Sequence, residues 1–276
     1  MMYMRLKDGK AKVFTLSYDD GVVQDIRLLK LMDQYGIKGT FNINSGCYLP
    51  EERDRERYYG RMKRSEALEL FKDSQQEVAI HGYTHADMPQ LSPQDILQEV
   101  LKDRTEAEQN YGKIIRGMAY AFGAYNEDVL QALKLCGVCY SRTTASTTKF
   151  RFPENWLTWH PTCHHNNPKL MDLAGSFERS APGKRDGAKL FYVWGHSYEF
   201  DNDDNWDRIE ELFRKVGGKE DVWYATNIEI YDYVQAYRRL TVSVDGKTVY
   251  NPTAMDLWFS DGENTHCVRA GELLHI

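Results

Sequence analysis

Thr15-Leu16-Ser17-Tyr18-Asp19-Asp20-Gly21 closes the first predicted strand of this 276-residue chain, and the way the pattern repeats after it decides the fold. Residues 13–17 read as a strand, and the two carboxylates and the glycine fall where strand turns into loop. An amphipathic helix over 25–35 ends at Gly36, and 40–44 is the next strand. The alternation continues with a helix over 65–72, a strand over 77–80 and a helix that starts at Ser92-Pro93, an N-cap with proline at the first helical position. Strands over 117–121, 138–141, 189–194 and 222–224 follow, with helices over 126–136, 168–180, 204–216 and 227–239. An aromatic, proline-containing segment over 150–167 reads as a loop. About seven strands, each followed by a helix, predict an α/β chain whose parallel sheet closes into a barrel. From Leu240 the pattern changes to an Asp245-Gly246 hairpin, with a second possible turn at Asp261-Gly262. Residues 1–239 are therefore expected to form the barrel, and 240–276 a β appendage packed on it, too small for a core of its own.

Composition narrows the function classes. A net charge of −6 argues against a general nucleic-acid binder. No apolar run reaches the ~20 residues that span a bilayer. The first residues lack the apolar core of a secretory signal, so a cytoplasmic place is expected for the sequence as written, or a secreted or periplasmic one if a signal preceded it. The 18 Tyr, 11 Phe and 6 Trp permit a sugar cleft, although most such rings build core. Five scattered cysteines do not make a disulfide framework. Cys136 and Cys139 have redox-type spacing, but without a second pair they read as reduced core thiols.

Three segments carry chemistry, each at the end of a predicted strand, where barrels of this kind place their active sites. Asp19-Asp20-Gly21 offers two carboxylates, yet alone it is no more than a common turn. His81-Gly82-Tyr83-Thr84-His85 offers two imidazoles; with one carboxylate they leave coordination positions open for water and substrate. His196 ends the apolar run Leu190-Phe191-Tyr192-Val193-Trp194-Gly195, and barrel closure brings it toward Asp19 and Asp20.

In order and spacing these segments resemble the polysaccharide deacetylase family of the carbohydrate esterase family 4 type, over residues about 12 to 200. The family's Thr-Phe-Asp-Asp-Gly is matched by Ser17-Tyr18-Asp19-Asp20-Gly21, with Tyr18 in place of Phe. Its His-Ser/Thr-X-X-His is matched by His81 and His85, with Gly82 at the hydroxyl position and Thr84 as the candidate to compensate. Its Leu-X-His is matched by Trp194-Gly195-His196. The resemblance implies a distorted (β/α)7 barrel, Asp19 as base, His196 as general acid, and Asp20, His81 and His85 as ligands of one divalent metal. That metal is expected to be zinc, with cobalt, manganese, nickel or iron as alternatives. It further implies Trp194 as a wall of the acetyl pocket, the Phe122 N–H as oxyanion donor, and Tyr120 and Gly123 beside it in the substrate site.

Two departures stand out. The third motif, normally Arg-X-Pro-Tyr-Gly, reads Ala119-Tyr120-Ala121-Phe122-Gly123 and lacks the arginine that orients the base. Arg142, at the end of the next strand, is the candidate replacement, with a solvent-facing Arg142 as the alternative. The fourth motif, which supports the acid histidine, has no clean counterpart; His164 and His165 in the aromatic loop either touch substrate or lie on the loop surface. The expected function is metal-dependent removal of N-acetyl groups from a carbohydrate. The alternatives are a hydrolase of a small cyclic amide or ureide on the same scaffold, and a glycan-binding module with lapsed catalysis. The partner is thus an N-acetylated glycan or a small amide, with no nucleic acid and no membrane span; the oligomeric state stays open.

Overall fold

The computed structural model describes residues 2–53 and 60–276. In chain order the strands are β1 (Tyr3–Arg5), β2 (Lys12–Asp19), β3 (Thr40–Ile43), β4 (Glu77–Ile80), β5 (Gly117–Ala119), β6 (Tyr140–Arg142), β7 (Cys163–His164), β8 (Lys189–Gly195) and β9 (Val222–Tyr224). Five more follow: β10 (Thr241–Val242), β11 (Thr248–Tyr250), β12 (Leu257–Ser260), β13 (Thr265–Val268) and β14 (Leu273–His275). The helices are α1 (Asp25–Gln34), α2 (Arg64–Phe71), α3 (Pro93–Tyr111), α4 (Glu127–Leu135), α5 (Leu170–Arg179), α6 (Glu199–Asn202), α7 (Trp206–Val216) and α8 (Asn227–Arg238).

Every residue of β2 is buried, as a parallel strand covered on both faces requires. It is one of seven parallel strands of a curled sheet in the order β6-β5-β4-β3-β2-β8-β7, with β9 beside the first half of β2. The chain is an α/β protein with a distorted (β/α)7 barrel. Register decides which residues share the rim. Asp19 is level with Asn42 of β3, and Tyr18 with Gly195 of β8, so His196 emerges beside Asp19. Ile43 is level with Ile80, Ile80 with Met118, and Ala119 with Arg142. The layer above Ile80 therefore holds His81, Ala119 and Arg142.

The barrel closes differently from the sequence expectation. No α-helix lies between β6 and β7. Instead the segment read as a loop carries the closure: Trp159 exchanges backbone hydrogen bonds with Ser141 and Thr143 (2.9 and 3.0 Å), and Thr162 and His165 donate to Tyr192 and Trp194 carbonyls (both 2.8 Å). Its two-residue strand β7, interrupted upstream by Pro161, is too short and too polar to leave a strand signature. Gly195 is required there, because a Cβ would lie 2.0 Å from the His165 ring. The helix expected over 204–216 is α7, and a short helix the sequence did not reveal, α6, precedes it.

The C-terminal strands form two antiparallel sheets, β10-β11-β14 and β1-β12-β13, so Tyr3–Arg5 pairs with Leu257–Ser260. Tyr233 of α8 ties this sheet to the barrel, donating to Arg5 O (2.9 Å) and accepting from the Trp258 N–H (3.0 Å). All five cysteines are free thiols, with Cys136 buried and Cys139 half-buried.

Candidate active site at the barrel rim

Asp19 is 2% exposed and fully engaged. Arg142 Nη2 donates to its Oδ2, and Asn42 Nδ2 donates to its Oδ1 (2.8 Å). His81 Nε2 and His196 Nε2 lie 3.9 and 3.8 Å from Oδ2. Burial pushes the Asp19 carboxyl up, but the positive charge of Arg142 and the two imidazoles outweigh it and hold the group below the usual carboxylate range. Arg142 itself is completely buried. Its Nε donates to Ser17 Oγ (3.2 Å), its Nη1 donates to Thr143 O (3.3 Å), and its guanidinium lies 4.3 Å from the centre of the Trp194 ring. The open question about Arg142 thus has a geometric answer: it faces the site.

Asp20 takes a positive φ of 84°, uncommon for a residue with a side chain, and this turns its carboxylate toward the two histidines. Its Oδ1 lies 3.9 Å from His81 Nε2 and 3.5 Å from His85 Nε2. The donor atoms of these three residues all lie within 4.8 Å of one another. His81 is held from behind: its Nδ1 is 2.8 Å from Ala119 O, and its backbone N–H donates to Asp103 Oδ2 (3.0 Å). Committing Nδ1 to a carbonyl leaves Nε2 to face Asp20, as in histidines that ligate metal. His85 also takes a positive φ, 59°, and packs edge-on against Phe122.

His196 is the third wall. Its Nδ1 lies 3.4 Å from Glu199 Oε1, three residues on at the start of α6. His164 Nε2 and His165 Nε2 lie 3.1 and 2.9 Å from Glu199 Oε2. Burial lowers the His196 pKa, but Glu199 and Asp19 more than reverse this and raise it above the ordinary histidine value. Glu199, raised by burial but surrounded by three imidazoles, sits far below the usual carboxylate range.

Several expectations need adjusting. Tyr120 does not line the opening: its ring is buried against Tyr125 and its hydroxyl donates to Leu157 O (2.6 Å). The Thr84 hydroxyl does not compensate for Gly82, since it donates to Glu99 Oε1 (2.9 Å). His165 is neither substrate contact nor loop surface but fully buried, whereas His164 is partly exposed. Phe122 and Gly123 take positive φ (58° and 69°), and the Phe122 side chain is 66% exposed. Trp194 is buried between Arg142 and His164. Sequence reasoning missed Arg61, whose Nη2 donates to Asp20 Oδ1 (2.8 Å) and whose Nη1 donates to Asn44 Oδ1 (2.6 Å). It also missed Asn42, Asp103 and Glu199. Only Glu199 left a signal, its i+3 spacing from His196 on a helix start.

The polysaccharide deacetylase family model matches residues 6–141. Among curated proteins, none matches the chain. Among solved structures, a candidate polysaccharide deacetylase from Mycobacterium smegmatis is similar at 14% identity and TM-score 0.59, covering 86% of this chain and 94% of that one. The Xyl-CE4 domain of a multidomain xylanase from the hindgut metagenome of Trinervitermes trinervoides is similar at 16% identity and TM-score 0.51, covering 82% and 92%. The Streptococcus pyogenes deacetylase PplD, in complex with acetate, has TM-score 0.44 at 18% identity; 52% of this chain covers 61% of its length. At these identities the likeness to the Mycobacterium smegmatis and Xyl-CE4 structures speaks for the fold alone, and the family rests on the sequence match. Over residues 6–141 the chain carries a polysaccharide deacetylase domain.

Proposed function

We propose that this chain is a metal-dependent carbohydrate N-deacetylase, with Asp19 as base and His196 as acid. One observation carries the reading: a buried, cation-held carboxylate faces a partly exposed imidazole across 3.8 Å, directly beside the Asp20-His81-His85 cluster. The donor set fits a single divalent ion, because one carboxylate oxygen and two imidazole nitrogens converge while His81 Nδ1 is committed elsewhere. Zinc suits such a set, with cobalt, manganese, nickel or iron as alternatives. When bound, the ion would polarise the acetamide carbonyl and acidify water.

The protein's own groups do the rest. Asp19 accepts a proton from the attacking water, and Arg142 keeps it ionised and in one rotamer. The water oxygen bonds to the acetyl carbon as the C–N bond breaks, giving acetate. His196 delivers a proton from Nε2 to the departing nitrogen, which is a poor leaving group until protonated. Glu199 at Nδ1 favours the protonated ring. The Phe122 N–H is assigned to the oxygen on which negative charge develops, and Trp194 forms the wall beside His196. Arg142 fills the role left open at Ala119, which favours an enzyme over a glycan-binding module with lapsed catalysis.

The test is acetate release from chitin, peptidoglycan and N-acetylglucosamine oligomers by protein loaded with zinc, cobalt, manganese or nickel. Release from at least one substrate, abolished by chelation, is expected. Metal-loaded protein that binds an oligomer but releases no acetate from any substrate would reject the reading.

A further inference from the structure

Asp20 is gripped from outside its own motif. Arg61 and Met62 run antiparallel to the turn after β2: Val22 bridges Arg61, the Met62 N–H donates to Gly21 O (2.9 Å), and the Val23 N–H donates to Gly60 O (2.8 Å). From there the Arg61 guanidinium reaches back over Asp20. Its Nη1 donates to Asp20 O and its Nη2 donates to Asp20 Oδ1 (2.8 Å), so one fork fixes both the backbone and the carboxylate of the same residue. Nη1 also donates to Asn44 Oδ1 (2.6 Å).

Asn44 carries the connection onward. It follows β3, the strand between β2 and β4, and is 1% exposed. Its Nδ2 donates to His81 O (2.9 Å) and Gly82 O (2.5 Å). Chemistry leaves this amide one orientation: a guanidinium only donates and a carbonyl only accepts, so Oδ1 faces Arg61 and Nδ2 faces the His81 loop. The result is a continuous bracket, Asp20–Arg61–Asn44–His81, across three adjacent strand ends. It joins the loop that carries the carboxylate of the metal cluster to the loop that carries its two imidazoles.

A cation beside a ligand carboxylate can also act as a rival of the ion, pulling the oxygen away. The spacing argues against this. Donor atoms about 2.0–2.1 Å from a tetrahedral zinc ion lie about 3.3–3.4 Å apart. Asp20 Oδ1 lies 3.5 Å from His85 Nε2 and 3.9 Å from His81 Nε2 while it accepts from Arg61. A carboxylate oxygen has lone pairs for a donor and an ion together. The bond to Arg61 therefore leaves Oδ1 where a ligand has to be.

We infer that Arg61 and Asn44 are positioning residues for the metal centre, setting the spacing between Asp20 and the histidine loop. The inference rests on the ion assigned to Asp20, His81 and His85 in the proposed function, and not on the reaction catalysed there.

The test is the zinc affinity of the full chain, measured by competition with a chromophoric chelator for wild type, Arg61→Met and Arg61→Lys. The methionine keeps an aliphatic stem and loses every donor; the lysine keeps the charge and loses the fork. Both should bind zinc about 10–100-fold more weakly than wild type, the cost typical of a lost outer-shell partner. The visible absorption bands of the cobalt-loaded variants should shift as well, which a residue that only stabilises the fold would not cause. Asn44→Leu should weaken zinc binding by a similar factor, and Arg61→Met should cost little further in that background, because the two act through one bracket. Wild-type or tighter affinity in Arg61→Met would overturn the inference, as would wild-type affinity in Arg61→Lys or full additivity with Asn44→Leu. Should Asn44→Leu not fold, the two Arg61 variants decide alone. Wild-type protein that takes up no zinc would overturn the metal assignment and the bracket together. Zinc bound with the expected losses in the variants, but no acetate released from any substrate, would reject the deacetylase reading and uphold the bracket.

Discussion

Asp19 and His196 face each other, yet their surroundings differ in almost every respect. The Asp19 side chain is 3% exposed, lies at the end of a fully buried strand, and takes its cation from the end of another strand. The His196 side chain is 21% exposed, and its carboxylate partner comes from a four-residue helix and is shared with two further histidines. The base side is thus held by the barrel itself, and the acid side by loops that close the barrel. The difference suits the two jobs. A base beside a metal must stay ionised and still, while an acid that meets a leaving group needs solvent access to regain its proton.

The largest effect that would break this picture is at the base. Asp19→Asn should reduce kcat/KM by about 10²–10⁴, the usual worth of a positioned proton acceptor, in a steady-state acetate-release assay. A loss under tenfold would mean that another group takes the proton.

Arg142→Ala sharpens the comparison through pH. In the proposed role Asp19 works as the anion, so the acid limb of the pH–rate profile should follow its pKa. Removing Arg142 leaves burial uncompensated, the pKa rises, and the acid limb moves to higher pH. Breaking this buried pair should also cost roughly 3–5 kcal/mol of stability in denaturant titration. Because the folded-state pKa of Asp19 is depressed, the pair's contribution is present above the ordinary carboxylate pKa and lost as pH falls through the depressed one.

On the acid side the effect is smaller and opposite in sign. In the proposed role His196 works protonated, so its pKa should set the basic limb. Glu199→Gln removes the largest influence that raises it, and the basic limb should move to lower pH, with kcat near the optimum reduced only a few-fold. Equal shifts of both limbs in either variant would erase the distinction between the two sides.

The same contrast explains what the sequence let one read. Asp19, Asp20, His81, His85 and His196 stand directly after strands with clear patterns, and parallel register turns adjacency in the sheet into proximity at the rim. Arg142 was legible for that reason, one strand beyond the Ala119 that lacks the guanidinium. The residues that escaped notice come from elsewhere. Arg61 sits in an irregular segment far from any motif, and Asp103 inside a helix where a carboxylate reads as surface. Glu199 belongs to a helix too short for a periodic signal. Strand β7 is two residues long, so the aromatic segment around it read as loop although it completes the barrel.

The central claim is that two adjacent aspartates do different things, Asp20 holding the ion and Asp19 working beside it. Metal content of Asp19→Asn and Asp20→Asn, each incubated with one equivalent of zinc, dialysed and analysed by elemental mass spectrometry, tests this most directly. The account predicts that Asp19→Asn retains close to the wild-type amount of zinc while Asp20→Asn loses most of it. Retention by Asp20→Asn together with loss by Asp19→Asn would reverse the roles and contradict the account.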